Sequence, residues 1–239
     1  MRASVNRSLP NAWAGAMLGV ERAQFGPVLW RVLASGIVGL AAVLLVITAA
    51  AAREIGTSRI AALPRASQIP ATAVARPTPA WTEFCRRAPA ECALDLSEPA
   101  TLGLSRQAWD AMQAVNRRVN ASITPISDYD HWGVLDRWDL PDNGYGDCED
   151  IQLLKRKLLV ERGLPRRAMR MTVVIDHLGD GHAVLMVRTD RGDFILDNKT
   201  DAILPWDRTG YVYSKREGQE SSAWVSLGGA ASPVVTANR

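Results

Sequence analysis

Sulfur and imidazole are scarce in this chain, whose 239 residues include only three cysteines and three histidines. So few cysteines exclude a disulfide-dense scaffold, and no two of them form a zinc-type CxxC pair. There is no glycine-rich phosphate loop and no internal repeat. The 18 glycines and 13 prolines are too few for a collagenous chain, and 47% hydrophobic with 22% charged residues excludes a disordered one. An excess of one charge is missing too. The formal net charge of +3 and the pI near 8.9 come from residues 1–80, which carry eight basic residues against two acids; residues 81–239 carry twenty against twenty-three. A slightly acidic domain lacks the footprint that phosphate backbones require, so no nucleic-acid partner is expected.

What is present begins with an apolar run. Val32 to Ala52 holds 21 residues without a charge, roughly 31 Å as a helix, which matches a bilayer core. Arg2, Arg7, Arg22 and Arg31 precede it against Glu21 alone, so residues 1–31 are expected to stay cytoplasmic and the chain after Arg53 to be exported. Residues 32–52 are read as a transmembrane or signal-anchor segment, with cleavage at Ala49-Ala50-Ala51 open as the alternative. Residues 53–80, spaced by Pro64, Pro70, Pro77 and Pro79 and free of aromatics until Trp81, are expected to be a linker. Residues 228–239 are read as a flexible tail. Between them, residues 81–227 form one domain by size, with six of the eight tryptophans.

Within that domain helical spacing precedes strand alternation. Ser105 caps a predicted helix in which Leu104, Ala108, Trp109, Met112, Val115 and Val119 recur on one face. A second begins at Asp147, runs through Ile151, Leu154 and Leu158, and stops at Gly163 with Pro165 behind it. Met169–Asp176, His182–Thr189 and Asp193–Asp197 then read as strands separated by Gly179-Asp180-Gly181 and Asp190-Arg191-Gly192. The expected class is α+β, with helices first and an antiparallel sheet behind them.

The cysteines sort by position. Cys85 and Cys92 flank a short proline-containing loop and are expected to form a disulfide in an oxidising compartment. Cys148 is left over. A loop with Gly144 and Gly146 delivers it into the first turn of a helix, where the dipole and unpaired N–H groups favour a thiolate. Asp147 and Glu149 on either side oppose that, so a cation or a histidine is required nearby. Among the three histidines, His182 opens an apolar strand. A turn centred on Asp190-Arg191 pairs positions whose numbers sum to 381, which makes His182 and Asp197 diagonal neighbours on one face. His131 and His177 have no carboxylate so placed and read as surface residues.

Gly146-Asp147-Cys148-Glu149-Asp150, Lys155-Arg156-Lys157, Gly163-Leu164-Pro165, Gly181-His182-Ala183-Val184-Leu185, Arg188-Thr189-Asp190 and Leu196-Asp197-Asn198 together resemble the bacterial transglutaminase-like cysteine proteinases, whose characterised branch is the LapG-type periplasmic proteases. The likeness runs from about Phe84 to Leu227. Ile151 departs from it, standing where an aromatic often follows the acidic pair. The resemblance implies a papain/transglutaminase-like fold, a Cys148, His182, Asp197 triad and a calcium site beside the cysteine. It also implies a protein substrate, with large surface adhesins of biofilms as the family's known targets, and a regulatory receptor in the inner membrane.

Composition supports the cation. From Asp128 to Asp150 eight acids (Asp128, Asp130, Asp136, Asp139, Asp142, Asp147, Glu149 and Asp150) face Arg137 alone, and oxygen ligands on a glycine-containing loop suit Ca2+. The expected ligands are Asp147, Glu149 and Asp150. The function expected is thus an exported, calcium-dependent cysteine endopeptidase, periplasmic and tethered to the inner membrane. Transglutaminase-type acyl transfer by the same triad and a non-catalytic calcium-dependent binding module are the alternatives.

Overall fold

The computed structural model describes residues 63–229. The 32–52 segment and the tail beyond Gly229 lie outside them; among the described residues no helix is long and apolar enough to cross a membrane.

The chain enters through β1 (Ala73–Ala75) and two short helices, α1 (Pro79–Arg87) and α2 (Pro89–Cys92), joined by the Cys85–Cys92 disulfide. α3 (Arg106–Ser122) follows, its N-terminus capped by the Ser105 hydroxyl accepting from Ala108 N–H. After β2 (Thr124–Pro125), α4 (Asp128–Trp132) and β3 (Tyr145–Gly146) comes α5 (Cys148–Val160). It ends as Gly163 turns left-handed at φ 83°, with Gly163 N–H donating to Val160 O and Leu164 N–H to Leu159 O. β4 (Met169–Ile175), β5 (Gly181–Thr189), β6 (Gly192–Leu196), β7 (Leu204–Pro205), β8 (Val212–Glu217) and β9 (Trp224–Ser226) complete an antiparallel sheet of order β1-β9-β8-β4-β5-β6-β7. β2 and β3 pair separately, in parallel.

Strand alternation divides the core. Met171, Val173, Leu185, Val187, Phe194 and Leu196 meet the apolar face of α3 and α5, while Val174, Val184, Met186 and Ile195 bury the opposite face with Ile69 and Tyr213. α5 packs on α3 and on β5, and the buried Arg156 guanidinium ties it to Glu217 of β8 at 2.6 Å. This places the start of α5 beside the start of β5.

The expected linker is shorter than residues 53–80. Leu63 and Ile69 are buried, Ala66 N–H donates to Arg191 O at 2.7 Å, and Ala73–Ala75 adds a strand to β9. The segment needs no core of its own because it satisfies its backbone on an existing sheet edge. Its passage explains Gly192: a Cβ there would lie 2.2 Å from Ala66 O. The acidic stretch is likewise not all loop, since Ser127 caps α4 within it, and His131 sits on that helix with Nε2 3.1 Å from Asn143 Nδ2.

Candidate active site and cation cluster

Cys148 is the first residue of α5, with Asp147 as N-cap, and its side chain is fully buried. The thiol donates to Glu149 Oε2 at 3.0 Å, and a second contact is Ala183 N–H donating to Sγ at 3.3 Å. The second contact comes from the residue after His182, so the start of β5 lies against the sulfur. Burial, and then the Asp147 charge, push the Cys148 thiol far above the ordinary thiol range.

The register is the one the turn dictates. Leu185 pairs with Leu196, Met186 with Ile195 and Thr189 with Gly192, each pair summing to 381. The ladder ends there, and just beyond it His182 Nε2 donates to Asp197 Oδ1 at 2.9 Å, with both residues buried. An ionised carboxylate only accepts, so Nε2 carries the proton and Nδ1, buried without a hydrogen-bond partner, is left to receive one. Burial pushes the Asp197 carboxyl up, but hydrogen bonds from His182 and Tyr211 outweigh it and hold it at about 2. His177 lies exposed in the turn between β4 and β5.

The three expected metal ligands do not form one set. Asp147 and Asp150 gather with Asp128, and Glu149 gathers with Asp128 and Asp136. The reason is helical geometry: Asp147 and Asp150, three residues apart, share one side of the start of α5 while Glu149 leaves in another direction, and Asp128, the first residue of α4, belongs to both groups. Asp128 and Asp136 were countable within the acidic stretch, but no spacing singled them out. Both Asp147 oxygens and Glu149 Oε1 are buried without a hydrogen-bond partner. Burial, then neighbouring carboxylates, raises Asp147 to about 8 and Asp150 to about 9; burial raises Asp128 to about 6. Orphaned, mutually repelling buried oxygens of this kind fit a hard divalent cation.

A cleft of about 850 Å³, lined among others by Ile126, Tyr129, Asp147, Leu178 and Asn198, opens next to both halves of the site. It borders Asp147, the neighbour of Cys148, and Asn198, the neighbour of Asp197.

A cysteine at a helix start beside a strand-borne imidazole–carboxylate pair is the constellation from which cysteine hydrolases are built. Residues 71–232 match the model of the bacterial transglutaminase-like cysteine proteinase family (BTLCP), and the chain belongs to that family; it is a transglutaminase-like cysteine peptidase. Similar solved structures include Legionella pneumophila LapG, 25% identical, with 49% of this chain and 68% of that one covered at a TM-score of 0.43. The calcium-bound form of LapG is also 25% identical, covering 53% and 74% at 0.44. An EGTA-treated form covers 49% and 67% at 0.43. No curated protein matches the chain.

Proposed function

We propose that this peptidase is a calcium-dependent endopeptidase in which Cys148 is the nucleophile, His182 the general base and acid, and Asp197 the residue that sets the imidazole's tautomer and orientation. The observation that carries this reading is the juxtaposition at the start of β5, where Ala183 N–H touches Cys148 Sγ while the adjoining His182 is bonded to Asp197. His182 Nδ1 takes the thiol proton as sulfur attacks the peptide carbonyl, and returns it to the leaving amine; water then breaks the thioester. Backbone N–H groups at the start of α5 are the donors available to the oxyanion.

Asp128 would hold the cation together with Asp136 and Glu149 or with Asp147 and Asp150. When bound, calcium would neutralise the carboxylate charge that opposes a thiolate at Cys148. The charge-free run of residues 32–52 and the preceding arginines support a periplasmic domain tethered to the inner membrane. The substrate in this reading is a protein, with a large surface adhesin as the candidate and an inner-membrane receptor as regulator; both rest on the sequence resemblance.

The test is cleavage of labelled casein by the full-length chain and by Cys148→Ala, His182→Ala and Asp197→Asn. Cys148→Ala and His182→Ala should abolish cleavage, and Asp197→Asn should leave a small residue of it. Wild-type cleavage by Cys148→Ala would end the reading. Incorporation of dansylcadaverine in place of hydrolysis would turn it to acyl transfer.

A further inference from the structure

Tyr211 stands one residue before β8, and its hydroxyl donates to Asp197 Oδ2 at 2.6 Å. The other oxygen of that carboxylate is already engaged, accepting from His182 Nε2 at 2.9 Å and from Lys199 N–H at 3.0 Å. The Tyr211 ring meets the His182 ring edge-on, with centroids 5.7 Å apart and planes at 80°. One aromatic residue therefore touches both members of the pair.

The tyrosine is itself held from behind. Its N–H donates to Thr209 Oγ1 at 3.3 Å, and that hydroxyl donates to Trp206 O at 2.9 Å. The His177 ring packs on its outer side at 5.1 Å, over Gly210, where φ is 71° and a Cβ would lie 2.5 Å from His177 Cε1. The sheet sets the reach. Val174 of β4 pairs with His182 on one side and with Tyr213 on the other, so the start of β8 stands one strand beyond the start of β5. Burial, and then Asp197, raise the phenol above its ordinary range, so it stays a donor.

A carboxylate held by one oxygen can turn about its broad terminal torsion, whereas one held by both cannot. We propose that Tyr211 is a positioning residue for the His182–Asp197 pair, its hydroxyl locking the carboxylate and its ring edge fixing the imidazole plane so that Nδ1 stays presented to the thiol. This rests on the roles given above to Cys148, His182 and Asp197.

The test uses the full-length chain in calcium-containing buffer with p-nitrophenyl acetate as probe. Acyl transfer to Cys148 forms the thioester and releases p-nitrophenolate, and water then releases acetate. Tyr211→Phe keeps the ring and removes the donor. It should lower kcat about 10- to 100-fold, as expected for loss of orientation, with KM unchanged and thermal stability near wild type. The low-field proton resonance of the His182 Nε2–H···Asp197 bond should shift and broaden in the same variant, and Tyr211→Ala should lose more activity than Tyr211→Phe. Wild-type kcat and an unmoved resonance in Tyr211→Phe would overturn the proposal, as would a fall in kcat/KM carried by KM alone. Wild-type turnover by Asp197→Ala would overturn the triad and this proposal with it; an inactive Asp197→Ala beside a fully active Tyr211→Phe would overturn this proposal alone.

Discussion

Glu149 Oε2 accepts the Cys148 thiol proton at 3.0 Å, while Glu149 Oε1 is buried with no partner. The carboxylate next to the sulfur is therefore both the acceptor for the thiol and a member of an acid cluster with the geometry to hold a cation. A cation bound there would draw on the same charge as the thiol, so the reading proposed above couples cation binding to the chemical state of Cys148.

Calcium should stabilise the fold, and Asp128 should be the residue on which the effect turns, because it belongs to both acid groups. At a concentration near 100 Kd the gain is about 2.7 kcal/mol, or roughly 5–10 °C in Tm for a domain of this size. Asp128→Asn should abolish most of that rise. Asp130→Asn should keep it, since the Asp130 carboxylate is engaged by the Ser127 hydroxyl on the same helix. Equal calcium responses from the two variants, measured by thermal melts, would refute the shared ligand.

Gly146 has no room for a side chain. A Cβ there would lie 2.8 Å from Asp150 Cβ and 3.2 Å from Pro141 Cβ. Gly146→Ala should lose about 1–3 kcal/mol by overpacking and, by displacing Asp150, should weaken the calcium response as well. A urea melt with and without calcium checks both, and a variant matching wild type in each would contradict the tight approach.

Lys155 gives a pH dependence with a definite sign. Its side chain is buried on α5, and burial lowers the ammonium to about 7, opposed by Asp197 and Asp201. Between about 7 and the usual 10.5 the unfolded chain holds a proton that the folded chain has released, so this group's contribution to stability rises with pH across that window. Below it the fold carries a buried charge. Lys155→Met should therefore raise Tm most at about pH 6 and lose the advantage near pH 10. A pH-independent difference, or a loss of stability at the lower pH, would count against the assignment.

Joining α1 to α2 across a separation of seven residues, the Cys85–Cys92 disulfide should stabilise by about 2.5 kcal/mol on the loop-entropy model. Cys85→Ser/Cys92→Ser should melt roughly 5–10 °C lower with kcat unchanged, because the loop it closes meets α5 through Arg156, about two turns beyond Cys148. A double variant that loses turnover while still folded would show that the entry helices shape the site.

The parts legible in the sequence were those fixed by local periodicity and short turns. Ser105, the Gly163 stop and the two-residue turn at Asp190-Arg191 act on immediate neighbours, so α3, α5 and the β5–β6 register could be read without the structure. The His182–Asp197 contact followed from that register alone. What escaped depends on distant partners. β1 pairs with β9, some 150 residues away, and nothing within Ala73–Ala75 announces it. Asp128 and Asp136 join the acids of α5 only through the folding of α4 and the loop after it. Tyr211 reaches Asp197 because the chain reverses at Gly210 into a strand separated from β5 by β4.

The complete burial of both Cys148 and His182 bears on how fast anything can reach them. A sealed nucleophile reacts only through its transiently open form, so every bimolecular rate constant at this thiol is scaled by the fraction of molecules open at a given moment. The same seal slows each rung of sulfur oxidation, from sulfenic acid onward. The fraction of molecules with the thiol uncovered would thus set both its turnover and its lifetime against oxidation.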